Sequence, residues 1–184
     1  MADDLDAETK LNIYRVVINR YKDTINDKES LTISEIRQRV SPYNDIIRGI
    51  KDEITKDMIP YYYKRQFFDA AQRAISYIRS LKTCEFAFAF WMDFDDMDKL
   101  KLGTPMDKAI MLAAILRSLE SEDVLVMVTK KGKPYVKFLW EDKQYLFVPD
   151  SGSLLVGEDS MKIFSDDSVS YSFNDLVYEN FEEQ

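Results

Sequence analysis

The spacing of hydrophobic positions changes partway along the chain. Before residue 120, apolar residues recur at intervals of three and four, which is the period of helices that bury one face. After it, apolar and polar residues alternate in short runs separated by turn residues, as in strands. Helices followed by strands predict an α+β fold, in which N-terminal helices and a central helix pack on an antiparallel β-sheet.

The first helix is predicted over residues 7–26. Its apolar stripe is shorter than the sustained heptads of a coiled coil, so we expect it to dock on the core of the same chain. Residues 1–30 are therefore interpreted as an N-terminal amphipathic helix that packs on, or extends, a domain formed by residues 31–184. The stripe consists of Leu11, Tyr14, Ile18, Tyr21 and Ile25.

Further helices are predicted before residue 82. A short one covers residues 32–40, and the next is expected to begin at Ser41 and Pro42, because serine caps free amides and proline fits the first turn. Its apolar face consists of Tyr43, Ile46, Ile47, Ile50 and Ile54, and Pro60 closes the region. A long helix follows, with an apolar face formed by Phe67, Phe68, Ala71, Ala74, Ile75, Ile78 and Leu81.

Two segments before the central helix are open to more than one interpretation. Residues 86–91 (FAFAFW) alternate aromatic and small residues, which indicates a strand or an extended segment packed over helices. Residues 92–101 carry Asp93, Asp95, Asp96 and Asp98, but Met97 and Asp98 occupy the ligand and glycine positions of a calcium loop begun at Asp93. A solvated acidic loop is therefore predicted there, with no metal.

The C-terminal part of the chain is predicted to form a sheet. Residues 124–129, 135–140 and 144–148 are rich in strand-forming residues, and short connectors between them indicate an antiparallel meander. Residues 161–165 and 169–173 are candidates to extend this sheet.

The stretch GTPMDKAIMLAAILRSL predicts a sharply defined helix start. Thr104 suits the N-cap, Pro105 suits the first helical position, and Asp107 places negative charge near the positive end of the helix. The strongly apolar helix that follows is expected to be central, and its apolar residues are Ile110, Leu112, Ala113, Leu116 and Leu119.

The amino-acid composition excludes several kinds of catalytic and metal site. The chain has no histidine and one cysteine, Cys84, which excludes a Ser/His/Asp triad, a Cys/His pair, a thiolate zinc site and an internal disulfide. We expect a cytoplasmic protein with no cofactor, no signal peptide and no membrane span. A net charge of −8 disfavours nucleic acid as a partner.

The stretch GTPMDKAIMLAAILRSL resembles the core helix of the transglutaminase-like superfamily, in its prokaryotic and archaeal form. The family pattern runs G-x-C-x-D-x-A and is followed by an apolar helix that ends in Leu-Arg-x-Leu. The segments PYNDIIRGI and FFDAAQRAISYIRSL also resemble helices of that family, and the likeness extends from Thr32 to the C-terminus. It implies a papain-like core. The matching residues are Gly103, Asp107, Ala109, Leu116, Arg117 and Leu119.

The resemblance also implies that the catalytic site of the family is incomplete in this chain. The family's cysteine position falls on Pro105, its histidine position on Tyr135 and its aspartate position on Asp150, so two of the three catalytic groups are missing. It therefore implies a catalytically inactive protein whose former groove is filled or binds a protein or peptide through Thr104, Pro105, Met106, Tyr135 and Asp150. Pro105, Tyr135 and Asp150 are expected to converge, with a phenol–carboxylate contact. Adding Tyr135→His to Pro105→Cys would be the minimal reconstruction.

Alternative functions remain open at this point. A hydrolase or acyltransferase on the same scaffold could use Thr104 as a nucleophile, activated by a lysine or a carboxylate, while Cys84 is expected to be structural. Tyr135 could serve as an acid–base group only if its pKa were depressed by several units. A third possibility is assembly through the first helix, which leaves a monomer or a weak homodimer as the expected state.

Overall fold

The computed structural model describes residues 6–26, 32–86 and 90–181, and the α+β prediction is confirmed in these ranges. Within them, no helix is both long enough and apolar enough to span a membrane. The helices are α1 (Ala7–Asn26), α2 (Ile33–Arg39), α3 (Asp45–Ile54), α4 (Tyr63–Ser80), α5 (Phe94–Leu100) and α6 (Pro105–Ser118).

The predicted antiparallel meander forms the centre of a six-stranded sheet. Its strands are β3 (Leu125–Thr129), β4 (Pro134–Trp140), β5 (Lys143–Val148), β6 (Ser153–Val156), β7 (Val169–Phe173) and β8 (Tyr178–Asn180), in the order β6-β5-β4-β3-β7-β8. A separate parallel pair, β1 (Lys82–Thr83) and β2 (Leu102–Gly103), joins the end of α4 to the start of α6.

Helix α6 is the buried centre of the fold. It contacts α3 and α4 on one side and strands β3 and β4 on the other, and its residues 107–116 are all buried. Phe67 of α4 packs edge-on against Phe138 of β4, with ring centroids 6.1 Å apart. The opposite face of the sheet carries a smaller cluster, which consists of Met127, Tyr135 and Leu146 with Phe164 packed against them.

The predicted bounds of α1 are confirmed, but its predicted buried stripe is wrong in part. Val17 and Tyr21 are buried, whereas Leu11 and Ile18 are 51% and 47% exposed. The orientation follows from Tyr21, whose hydroxyl donates to Asp96 Oδ2 at 2.7 Å and accepts from the N–H of Asp93 at 2.7 Å. These two hydrogen bonds hold α1 in the orientation in which the face that contains Val17 packs on the core. The side chain of Ile25 lies outside the described residues.

Helix α3 begins later than predicted. Pro42 and Tyr43 form a turn instead of the first helical residues, and Tyr43 is exposed. The N-cap is Asn44, whose Oδ1 accepts from the N–H of Ile46 at 2.9 Å. An asparagine followed by an aspartate in the first turn satisfies the free amides better than the Ser41–Pro42 pair, so the helix begins there.

The predicted solvated acidic loop is wrong, because residues 94–100 form helix α5. Asp96 is buried and pairs with Tyr21, and Asp98 accepts from the hydroxyl of Tyr77 at 2.6 Å. Two of the carboxylates are therefore used in packing α5 against its neighbours. Residues 86–91 were predicted to form a strand or an extended segment packed over helices. Residues 87–89 lie outside the described residues, and Phe86, Phe90 and Trp91 belong to no strand.

Residues 161–165 do not extend the sheet. They fall in a 3₁₀-helix at Glu158–Phe164, and Ser165 follows as its cap. Phe164 of this element covers the ring of Tyr135, with centroids 5.0 Å apart. The apolar residues of this run therefore cover a face of the sheet instead of adding a strand to its edge, while the prediction for residues 169–173 is confirmed as β7.

Candidate functional site

The start of α6 forms as predicted. Thr104 is the N-cap and Pro105 the first helical residue. The Thr104 hydroxyl accepts from the N–H of Asp107 at 3.2 Å, and Asp107 Oδ2 accepts from the N–H of Thr104 at 3.0 Å and from its hydroxyl at 2.7 Å. This capping box satisfies the first amides of the helix, so the local structure is complete without a reactive group.

Asp107 also fastens the preceding segment to the helix. Its Oδ1 accepts from the N–H of Met92 at 2.9 Å, and the side chain is almost wholly buried. Burial raises the pKa of this carboxyl to about 6, against the opposing effect of the hydrogen bonds from Thr104 and Met92. Asp107 is therefore a buried structural acid that titrates in a mildly acidic range.

The structure brings Pro105, Tyr135 and Asp150 to one cavity of ≈ 370 Å³, which lies at the start of β4 and the end of β5. Residues 104–106 of α6 form one wall, and residues 132–135 with Val148 and Asp150 form the other. Glu85 completes the lining. The helix start and the strand ends therefore share a single cavity, but the prediction that the side chain of Tyr135 faces the Pro105 turn is wrong.

The side chain of Tyr135 does not face the helix. Alternate residues of a strand point to opposite faces, and Val136 and Phe138 belong to the core cluster on the α6 side. Tyr135 packs with Met127 and Leu146 on the other face. By the same alternation, Pro134 is the strand residue on the α6 side.

The expected phenol–carboxylate hydrogen bond does not form: within the described ranges none joins Tyr135 to Asp150, and the carboxylate acts on the phenol only through its charge. Burial raises the pKa of Tyr135, and the charges of Asp167 and Asp150 raise it further. An acid–base role would need the opposite shift. Tyr135 therefore contributes to the lining of the cavity and to packing, and its phenol stays protonated at neutral pH.

Asp150 lies in the turn that follows β5. The N–H of Gly152 donates to the carbonyl of Val148 at 2.8 Å, and Arg79 Nε donates to the carbonyl of Gly152 at 2.7 Å. Gly152 has φ +69°, a conformation that favours glycine. The turn is thus held against α4, and it presents an exposed carboxylate at the cavity.

Cys84 follows strand β1, near the start of α6. Burial raises the pKa of its thiol to about 12, and the nearby carboxylate of Asp107 adds to the shift. A reactive thiolate needs an electropositive and accessible surrounding. The environment of Cys84 has the opposite effect, which supports a structural role.

Lys108 is a buried cation that sequence reasoning missed. Its Nζ donates to the carbonyl of Leu81 at 2.6 Å and to Thr83 Oγ1 at 2.8 Å, and burial lowers its pKa. Leu81 is the C-cap of α4, so the ammonium satisfies a carbonyl at the end of that helix. Lys108 therefore joins α4 to α6 and supports one side of the site.

Other parts of the cavity could have been inferred from the alternation in β4. That pattern places the odd-numbered Tyr135 on the face away from the core, and it identifies Pro134 as the neighbour directed at the helix. No signal in the sequence indicated Glu85 or Val148. Within the described ranges, no cluster of three or more acidic or sulfur side chains could hold a metal ion.

Comparisons of the chain with protein-family models, with curated proteins and with solved structures find no match.

Proposed function

We propose that the chain is a catalytically inactive transglutaminase-like protein in which the cavity beside the start of α6 binds a peptide or a protein segment. The supporting observation is the character of the cavity. Pro105, Met106 and Val148 supply apolar surface, while the exposed Glu85, Lys133 and Asp150 supply charges of both signs. Small polar groups on an apolar wall are typical of sites that fix the orientation of a ligand.

Among the described residues that line the cavity, none is a nucleophile that is ready to react. Pro105 stands where the resemblance would place a thiol, and the Thr104 hydroxyl is engaged both as donor and as acceptor in the capping box. The thiol of Cys84 is held protonated by burial, which raises its pKa to about 12. Binding without chemistry is the function that fits this set of groups.

One observation favours the alternative, a hydrolase or acyltransferase with a non-cysteine nucleophile. Asp107 Oδ2 lies 2.7 Å from the Thr104 hydroxyl, and the raised pKa of Asp107, about 6, would suit a general base. Against it, Asp107 also accepts the backbone N–H groups of Thr104 and Met92. A carboxylate that must hold these bonds is poorly placed to carry a proton through a reaction.

An activity assay separates the two functions. Incubation with ester, amide and amine-donor substrates should show no turnover above buffer. Activity that is lost in Thr104→Ala and kept in Thr104→Ser would establish the alternative and overturn the inactive one. The serine variant is the matched control, because it keeps both the hydroxyl and the cap.

Peptide selection tests binding at the cavity. Peptides selected on the wild-type protein from a random library should bind Asp150→Lys at least about tenfold more weakly, because the change reverses a charge at the cavity. Asp123→Lys is the control, since Asp123 is exposed and lies outside the cavity. Failure to select any peptide, or equal loss of binding in both variants, would contradict the proposal.

A further inference from the structure

Helix α1 has a second face that the rest of the described chain does not cover. Its inner face packs through Val17 and Tyr21, and Tyr14 lies edge-on to Phe86 with centroids 6.0 Å apart. On the outer face, Leu11 and Ile18 are 51% and 47% exposed. Two large aliphatic side chains one heptad apart therefore remain in contact with solvent.

These two residues belong to a longer exposed stripe. Glu8, Leu11, Arg15, Ile18 and Lys22 are all exposed, and they follow one another at alternating intervals of three and four. Such spacing places them along one line of the helix, parallel to its axis. Glu8, Arg15 and Lys22 form no ion pair with other residues in the described ranges. The stripe thus has an acidic end at Glu8 and a basic end at Lys22, and between them two apolar residues flank Arg15.

We propose that this stripe, which we call the α1 stripe, pairs with the α1 stripe of a second copy of the chain in antiparallel orientation. A twofold axis makes such a contact self-complementary. In the antiparallel arrangement, Glu8 lies opposite Lys22 of the second copy, and Leu11 lies opposite Ile18 of the second copy. Each contact then occurs twice.

Charge complementarity selects the antiparallel orientation. A parallel pair would set Glu8 beside Glu8, Arg15 beside Arg15 and Lys22 beside Lys22, so every charge of the stripe would meet its like. Like charges at facing positions of paired helices disfavour association. The antiparallel pair leaves only Arg15 near its counterpart, close to the twofold axis. The pairing is therefore specific in direction and carries one unfavourable contact.

The same features limit the strength of the dimer. A contact between single helices is smaller than a standard protein interface. Exposed ion pairs add little, and the two Arg15 side chains repel. We expect a reversible dimer that forms at protein concentrations of about 10–100 μM and weakens as salt is added. The cavity at the start of α6 lies outside the proposed contact between α1 helices. The proposed dimer is therefore independent of the proposed binding function.

Sedimentation of the full chain over a range of concentrations tests this pairing through charge reversal. Glu8→Lys and Lys22→Glu should each raise the dissociation constant about three- to tenfold, because each sets like charges opposite one another. The combined Glu8→Lys/Lys22→Glu variant restores opposite charges in the antiparallel pair and should return the constant to near the wild-type value. Loss of association in the single variants without recovery in the combined one would overturn the proposal, as would a wild-type chain that stays monomeric.

The apolar contacts have a matched control on the same helix. Ile18→Asp should weaken association at least about tenfold, because it removes an apolar contact that occurs twice in the dimer. Val16→Asp is the control, since Val16 is 45% exposed but lies off the stripe. Circular dichroism shows whether both variants remain folded. Equal effects of the two substitutions would refute a contact centred on the α1 stripe.

Discussion

Thr104 and Asp107 cap the central helix reciprocally. The hydroxyl of Thr104 accepts the N–H of Asp107 at 3.2 Å, and the carboxylate of Asp107 accepts the N–H of Thr104 at 3.0 Å. Pro105 stands between them and has no N–H to satisfy. A proline at this position is therefore sufficiently explained by helix initiation, whatever residue a related protein carries there.

Removing the threonine hydroxyl should weaken the whole fold. In Thr104→Ala, the N–H of Asp107 loses its acceptor at the start of a buried helix, so the free energy of unfolding should fall by about 1–2 kcal/mol. Thr104→Ser keeps the acceptor and should lose much less. Chemical denaturation followed by circular dichroism measures both. An alanine variant as stable as the wild type would show that the capping box contributes nothing to stability.

Asp107 should give the stability of the protein a distinct pH dependence. Burial raises the pKa of this carboxyl to about 6 in the folded state, above its value in an unfolded chain. Between about pH 4 and pH 6, the folded state then holds a proton that the unfolded state has released. The contribution of Asp107 to stability is present below about pH 4 and is lost as the pH rises through 6.

The difference between the wild type and Asp107→Asn isolates this effect. The wild type should lose up to about 3 kcal/mol relative to the variant as the pH rises from 4 to 7. Denaturation at closely spaced pH values measures the difference. Parallel stability curves for the two proteins would show that Asp107 does not titrate in this range.

Cys84 should alkylate slowly in the folded protein. Burial raises the pKa of its thiol to about 12, so little thiolate exists at neutral pH. Reaction with iodoacetamide at pH 7.5 should be at least about a hundredfold slower than in the unfolded chain, since a thiol of ordinary pKa is far more ionised there. Comparable rates with and without denaturant would contradict a structural thiol.

The reconstruction implied by the family resemblance should fail. Pro105→Cys/Tyr135→His puts an imidazole on the face of the sheet that Tyr135 shares with Leu146, away from α6. In a Cys84→Ala background, the new thiol should therefore have the same pKa as in Pro105→Cys alone. Pro105→Cys/Pro134→His places the imidazole on the α6 side and should lower it. The pH dependence of alkylation measures all three, and a shift caused by Tyr135→His would refute the orientation described here.

Arg117 should be among the costliest polar residues to remove. Its Nε donates to Asp175 Oδ1 at 2.6 Å, and both side chains are largely buried. Arg117→Met leaves the Asp175 carboxylate without its partner and should destabilise the protein by about 3 kcal/mol or more in chemical denaturation. Arg117→Met/Asp175→Leu removes both charges and should be more stable than the single variant. If the double variant is the less stable of the two, the ion pair is not the reason for the loss.

The sequence predicted elements well where one residue type determines the local geometry. Thr104 and Pro105 marked the start of α6, and the short connectors of the meander marked β3, β4 and β5. Both signals are local, because they depend on amides and turns within a few residues of one another. The bounds of these elements and the pairing of these strands could therefore be predicted from the sequence alone.

The incorrect predictions concern elements whose orientation or pairing depends on tertiary contacts. The sequence could not indicate that Tyr21 would bind Asp96 across 75 positions, and this contact determines which face of α1 is buried. Likewise, the apolar residues 161–165 have no intrinsic preference between pairing with an edge and covering a face. For the candidate site, the shared cavity was predicted from the family pattern, but the direction of the Tyr135 ring was not, because that pattern does not specify which face of β4 a residue occupies.

The two outer strands of the sheet are short. β6 has 4 residues and β8 has 3, whereas β4 in the interior has 7. A short edge offers few unpaired backbone groups to a strand of another molecule, which is one way in which sheets resist edge-to-edge aggregation. The short edges therefore disfavour growth of the sheet by addition of a strand from a second molecule.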